Sequence, residues 1–270
     1  MNRFIVAIGI VGCATALAAA PAYAQQQTHD DGTAPHLHVN DAYRSCFFEL
    51  HSELTKAEFE EFAREIGSIL RFRQLGDTTT LPKGKIDIGL QYASTSIDDS
   101  KGAWNNTMSH PTADHYLGDA IAFPRIVARF GATDRIDIGV WGGANTASNY
   151  GMVGADTKIA LLRQSDGRPV SVTIRPSITS LVGPSDVWAG NVSVDLSVSR
   201  NFGRFAPYAG VAALSSVAIE RSDAVDLEPG TAGSSVAFAG VTYHLRAIQL
   251  SAEVEKGELF SYGFRVGTRF

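Results

Sequence analysis

From Lys85 to the C-terminus, polar and apolar residues alternate with a period of two, as in strands whose faces meet different surroundings. Ile86, Ile88, Leu90 and Tyr92 stand against Lys85, Asp87 and Gln91, and Val170, Val172, Ile174 and Ile178 against Ser171, Thr173, Arg175, Ser177 and Thr179. Val192, Val194, Leu196 and Val198 oppose Ser193, Asp195, Ser197 and Ser199. Ile248, Leu250, Ala252 and Val254 oppose Gln249, Ser251, Glu253 and Glu255. Turn residues divide this region into predicted strands at 85–97, 119–130, 135–147, 151–163, 169–182, 187–201, 205–220, 235–245, 247–256 and 259–270. Each is long enough to cross a bilayer at a tilt, which takes about 9–11 residues.

The predicted connections differ on the two sides. Tight turns at 132–134, 165–168, 202–204 and 246 share a side with both ends of the strand region, and the long connections 98–118 and 221–234 lie opposite. The polar face is mostly Ser, Thr, Gly and Asn with a few charges of both signs, which suits an enclosed lumen better than a water-facing sheet. The pattern therefore predicts an all-β fold, a transmembrane antiparallel up-and-down barrel of about ten strands over 85–270, with lipid on its apolar side. A soluble secreted β-sandwich is the alternative, since it too alternates, with its apolar face inward. Trp104, Tyr150 and Trp188 near one set of strand ends, and Phe130, Phe202, Phe205, Tyr208, Tyr243 and Phe270 near the other, read as two interfacial girdles. Pro124 and Pro176 fall inside predicted strands, where the missing N–H calls for a bulge or a shorter strand.

Ahead of the strands the period becomes helical. Thr55 and Glu58 form a capping box, and Phe59, Phe62, Ala63, Ile66, Ile69 and Leu70 make an apolar stripe opposite Glu60, Glu61, Arg64, Glu65 and Arg71. A helix is about 10–12 Å across, and a small barrel is filled by its own side chains. An apolar stripe also suits a polar lumen poorly. The helix of 55–75 is accordingly expected on the periplasmic side, under the barrel, at the lipid interface or against a partner. Residues 25–54 read as a polar linker, whose His29, Asp30, Asp31, His36 and His38 form at most a weak metal-binding tract.

The first 24 residues have a charged start, an apolar run from Phe4 to Ala20 and the triplet Ala22, Tyr23, Ala24, which predicts a signal peptide cleaved after Ala24. A lipobox ending at Cys13 is the competing reading. With the leader gone, Cys46 is the remaining thiol and no intramolecular disulfide can form. Beyond the leader no uninterrupted apolar stretch reaches about 18 residues, so any membrane crossing must be made by a closed sheet. The net charge of -5, without a Lys/Arg run, argues against nucleic-acid binding.

The leader and the final strand, with Tyr262, Phe264, Val266 and terminal Phe270 on one face, resemble the bacterial outer-membrane β-barrel superfamily. The resemblance implies a Gram-negative outer-membrane location with both barrel ends periplasmic, and contact with outer-membrane lipid and lipopolysaccharide. It also implies that the four residues form the signal read by the barrel-assembly machinery. Alternation then turns Asp87, Asp137, Asp156, Lys158, Arg175, Asp195, Glu253 and Arg265 toward the lumen, with Glu255 and Arg269. They read equally as the lining of a narrow pore and as a closed ion-pair network. A porin-like, non-enzymatic barrel is expected, for passive permeation of small solutes or a structural or surface-interaction role, without cofactor or metal. The alternative is a rim hydrolase, protease- or lipase-like, using Asp98, Asp99, His110, Asp114, His115, Asp119 or Asp186. Ten-stranded outer-membrane proteases draw such groups from opposite sides of the rim, whereas here all but Asp186 cluster at one loop.

Overall fold

The computed structural model describes residues 47–109, 119–145 and 148–270. The leader, Cys13, Cys46, the tract of 29–38 and the loop residues His110, Asp114 and His115 lie outside the described residues.

In chain order the elements are β1 (Phe47–Phe48), α1 (Lys56–Leu70), β2 (Ile86–Ser96), α2 (Gly102–Asn105), β3 (Met108–Ser109), β4 (Ala120–Thr133) and β5 (Ile136–Ala144). They continue with β6 (Gly151–Leu162), β7 (Ser171–Val182), β8 (Val187–Ser199), β9 (Phe205–Glu220), β10 (Gly230–Leu245), β11 (Ile248–Lys256) and β12 (Phe260–Arg269). Strands β2 and β4 to β12 close into one antiparallel barrel of ten strands, each hydrogen-bonded to its neighbours in sequence. The seam joins β12 to β2, with Phe264 opposite Tyr92 and Val266 opposite Leu90. β1 pairs with β3 in a separate two-stranded ribbon.

Every predicted strand is present, with small boundary differences. The largest is at β10, which begins at Gly230 instead of 235, because the small residues Gly230–Ser234 pair with Leu214–Ala218 of β9. Their lack of apolar side chains hid them from the alternation. The two prolines cost ladder contacts and leave register intact. The β4–β5 pairing stops at Ile126, short of Pro124, while β2–β4 runs through it. The β6–β7 pairing skips from Asp156–Ser177 to Ile159–Ile174 around Pro176.

The barrel is apolar outside and largely polar inside. Leu90, Ile126, Val140, Val211, Val254 and Phe264, from six different strands, each expose more than half of their surface. On the inner face of the same wall, Gln91, Arg125, Arg175, Asp195, Glu253 and Arg265 are buried. A soluble β-sandwich requires the reverse, because water-facing Leu, Ile and Phe over a whole wall and enclosed arginines both raise the free energy. Lipid against the wall removes the first cost, and pairing in the lumen removes the second.

Candidate functional site: the plugged lumen

What fills the barrel is its own N-terminal segment. Thr55 caps α1: its Oγ1 accepts from Glu58 N at 3.4 Å, and Glu58 Oε2 accepts from Thr55 N at 2.8 Å. The first turns keep an exposed polar face, but from Glu65 to Leu70 every residue is buried, because this part of α1 lies inside the wall. The helix packs against β8, β9 and β10. Gly67 meets Ser216 so closely that a Cβ there would lie 2.7 Å from the serine Cβ and Oγ, and Ser216 Oγ donates to Ala63 O at 2.6 Å.

The expectation of a helix beneath or beside the barrel is thus corrected. The size argument failed because the wall facing α1 carries Gly, Ala and Ser, notably Ser216, Ala218 and Gly230, which leave the width that larger inward residues would occupy. The mismatch argument failed because the loop-side half of the lumen is apolar. There Phe62 packs edge-on against Trp104 at 5.4 Å between centroids, and Tyr150 meets both Phe48 and Phe123 at 5.2 Å. Ile121, Phe123 and Val127 point inward together with Arg125 and Arg129, which settles the face of β4. The end of the expected linker also belongs to this cluster, since Phe48, Leu50 and Leu54 are buried.

The loop-side girdle needs a similar correction. Trp104 and Tyr150 are buried in the plug cluster, and half-buried Trp188 donates Nε1–H to Ser180 Oγ at 2.9 Å. At the opposite end Phe130, Phe202, Phe205 and Phe270 are exposed outside, half-buried Tyr243 packs on Phe205 at 4.7 Å, and Tyr208 is buried.

One carboxylate sits within the aromatic layer. Glu65 accepts from Trp104 Nε1 and from Lys101 Nζ at 3.2 Å, and Lys101 also reaches Glu61 at 2.7 Å. Hydrogen bonds to Glu61 and then Glu65 hold the Lys101 ammonium's pKa above its ordinary value. Lys101 is the N-cap of α2, so this ion pair ties the long loop to the plug helix.

Below the helix the chain runs through residues 71–84 toward the turn side, and its buried charges, Arg71, Arg73 and Asp77, each meet a wall group. Arg71, fully buried, pairs with Asp195 at 3.1 Å and Glu255 at 2.5 Å, and Arg73 pairs with Glu255 at 3.0 Å. Arg125 of the wall donates to Ile69 O at 3.0 Å and Arg71 O at 3.2 Å, placing a cation on the C-terminal end of α1, where the helix dipole favours it. Leu75 N donates to Glu253 at 3.2 Å, and Asp77 pairs with His244 at 2.8 Å. Lys158 Nζ donates to Thr79 O at 2.7 Å, and Leu81 N donates to Asp137 at 3.0 Å.

All eight lumen candidates lie inside the barrel. Asp87 pairs with Arg265, and with Arg269 at 3.2 Å; Arg129 grips Asp156 through two bonds of 2.8 and 3.0 Å, and Arg175 is 3.7 Å from the same carboxylate. Lys158 is 3.4 Å from Asp137. A cavity of about 30 Å³ remains between Asp87, Gln91, Arg129, Lys158 and Arg175. About 10–15 Å³ accommodates one water molecule, so this cavity has room for about two or three. The partners that sequence reasoning missed are Arg71, Arg73 and Asp77 of the plug. Their one local signal is the charged–aromatic–charged run Arg71, Phe72, Arg73 just past a helix end.

The rim shows no assembled catalytic group among the described residues. Asp98 caps its own turn, accepting from Ser100 N at 3.2 Å and Ser100 Oγ at 2.6 Å, and Asp186 accepts from Leu50 N at 3.3 Å. Among the described residues no cluster of His, Cys, Asp and Glu has the makings of a metal site. Tyr262, Phe264 and Val266 lie on the outward face of β12, followed by exposed Phe270.

A wall greasy outside and ionic inside, closed by pairing its last strand to its first, defines a membrane-spanning β-barrel, here with its lumen filled by its own chain. This is the architecture of the bacterial outer-membrane barrels. No protein-family model matches the chain, and no curated protein does. Among solved structures it is similar to Ail, the attachment invasion locus protein of Yersinia pestis, in complex with the heparin analogue sucrose octasulfate. The identity is 14%, covering 70% of this chain and 99% of that one, with a TM-score of 0.32. An outer membrane channel from Pseudomonas putida F1 shows 12% identity over 72% and 98% of the two chains, with a TM-score of 0.44. The outer membrane protease OmpT from Escherichia coli shows 8% over 72% and 99%, with a TM-score of 0.36. Attachment protein, channel and protease differ in activity on similar walls, so the likeness carries no function to this chain.

Proposed function

We propose that this protein is a non-enzymatic barrel of the bacterial outer membrane, held shut by its own N-terminal segment, with a structural or surface-interaction role and no standing permeation of small solutes. The burial of Arg71 between Asp195 and Glu255 carries this reading, because a constitutive aqueous pore would hydrate that position. Short turns on the side of both barrel ends support a periplasmic location for those ends. Outer-membrane lipid and lipopolysaccharide are the partners of the outward apolar wall, and Tyr262, Phe264, Val266 and Phe270 form the face offered to the barrel-assembly machinery.

The test is planar-bilayer recording of the purified protein. The intact chain is expected to be electrically silent, and a chain lacking residues 47–81 to conduct in discrete steps. Steady conductance from the intact chain refutes the closed state. Peptide or lipid hydrolysis by the intact chain that is lost in His115→Ala would establish the rim-hydrolase alternative instead.

A further inference from the structure

The direction in which the plug threads the barrel has a consequence for sidedness. Both ends of the barrel wall, Ile86 and Arg269, sit at the rim that carries the tight turns, including Arg246–Ala247 between β10 and β11. Phe47 sits at the other rim. There β1 pairs with Met108 and Ser109 in the connection after β2, Phe48 N donates to Asn149 Oδ1 at 3.0 Å in the β5–β6 connection, and Leu50 N reaches Asp186 just ahead of β8.

From that rim the chain descends in order, as its partners record. Ala63 meets Ser216 near the loop end of β9. Arg71 meets Asp195 two-thirds of the way down β8, and Thr78 N meets Ser199 at its foot, at 3.3 Å. Gly84 N donates to Gly131 O at 2.8 Å beside the β4–β5 turn, where β2 begins. Residues 47–85 thus cross the whole height of the barrel through its interior, from the loop rim to the turn rim.

We infer that this chain enters its barrel from the cell exterior, presenting the exposed stretch His51–Glu53 on the outer surface. The inference rests on the outer-membrane reading proposed above. In outer-membrane barrels short turns are periplasmic and longer loops extracellular, and both barrel ends lie on the turn side. Export delivers the whole chain to the periplasm, so the segment ahead of α1 must cross with the forming wall before β12 closes on β2. The barrel then serves as the conduit for its own N-terminal segment, and the helix left in the lumen is the trace of that passage.

Single-cysteine chains in a Cys46→Ser background test this with a membrane-impermeant maleimide on intact cells. Glu53→Cys probes the segment, Asp223→Cys the loop rim and Arg204→Cys the turn rim; all three positions are exposed. Recovery in the outer-membrane fraction with heat-shifted gel mobility, required of each variant first, tests the underlying reading separately. The expected result is labelling of Glu53→Cys and Asp223→Cys on intact cells, and of Arg204→Cys after permeabilisation alone. Labelled Asp223→Cys beside protected Glu53→Cys overturns the threading. Labelled Arg204→Cys on intact cells overturns the orientation.

Discussion

The plug's hold on the wall is most directly tested at Arg71. Its guanidinium is fully buried, bonded to Asp195 at 3.1 Å and Glu255 at 2.5 Å, and Arg73 reaches the other oxygen of Glu255. Arg71→Met keeps most of the side-chain volume and removes the charge, leaving Asp195 without its 3.1 Å partner. Breaking one side of a buried pair typically costs about 3–5 kcal/mol, because the remaining charge stays desolvated. At about 1.4 kcal/mol per tenfold, the docked-to-released ratio of the plug should fall by roughly two to four orders of magnitude. Ser68→Cys, buried beside this site, supplies the readout in a Cys46→Ser chain reconstituted in vesicles, since a maleimide reaches it only when the plug opens. Its labelling rate should rise by that factor in Arg71→Met. Adding Asp195→Asn should recover most of the loss, because the penalty lies in the orphaned Asp195 charge and not in the missing bonds, whereas Glu255 keeps Arg73. A change of less than tenfold in Arg71→Met, or no recovery in the double variant, refutes this account of the plug.

Three further outcomes follow from particular contacts. Gly67→Ala drives a methyl into Ser216 and should destabilise the folded barrel by about 1–3 kcal/mol in a denaturant titration; Ser216→Gly should cost about 0.5–1.5 kcal/mol alone yet relieve most of the Gly67→Ala penalty when combined. Leu90→Arg, on the outer wall between Ile126 and Val266, should lower folding stability in lipid vesicles by about 2–4 kcal/mol, whereas near-neutral behaviour would place that face in water. The Glu58 pKa is held below its ordinary 4.5, chiefly by the Thr55 N–H, so its capping contribution is complete above 4.5 and is lost as pH falls through the lower folded value. The protection factors of the Glu58 and Phe59 amides, their exchange normalised to the intrinsic rate at each pH, should therefore fall on acidification in the native chain, and Glu58→Gln should abolish that fall.

The wall was legible because each of its strands separates two solvents, and that difference is written at every second residue. Val192 to Ser199 shows it, four outward apolar residues interleaved with Ser193, Asp195, Ser197 and Ser199, all four of them buried within the lumen. Helix α1 was equally legible as a helix, because its cap and stripe are local. Its location was not, because that depends on complementarity between segments far apart in the chain. Gly67 fits against Ser216, and the Phe59–Phe62 stripe needs Phe48, Trp104 and Tyr150, which arrive from the segment ahead of it and from two loops. The girdle reading erred for the same reason: proximity to a strand end does not say whether an aromatic turns to lipid or to the lumen.

The pore reading and the closed-network reading of the lumen charges are two states of one charge distribution. Asp195 and Glu255 belong to the wall, but their partners Arg71 and Arg73 belong to the plug. Arg125 of the wall spends its donors on plug carbonyls, and His244 and Arg269 of the wall face Asp77 of the plug. Take the plug away and these wall groups lose their counterparts. Isolated ions at low dielectric are too costly to persist, so water must enter and the lumen becomes a charged aqueous passage. The wall pairs Arg129–Asp156 and Asp87–Arg265 are wholly internal to it and would survive. Closure is therefore a property of residues 55–84 together with the wall, and removal of that segment should convert a silent barrel into a conducting one without dismantling it.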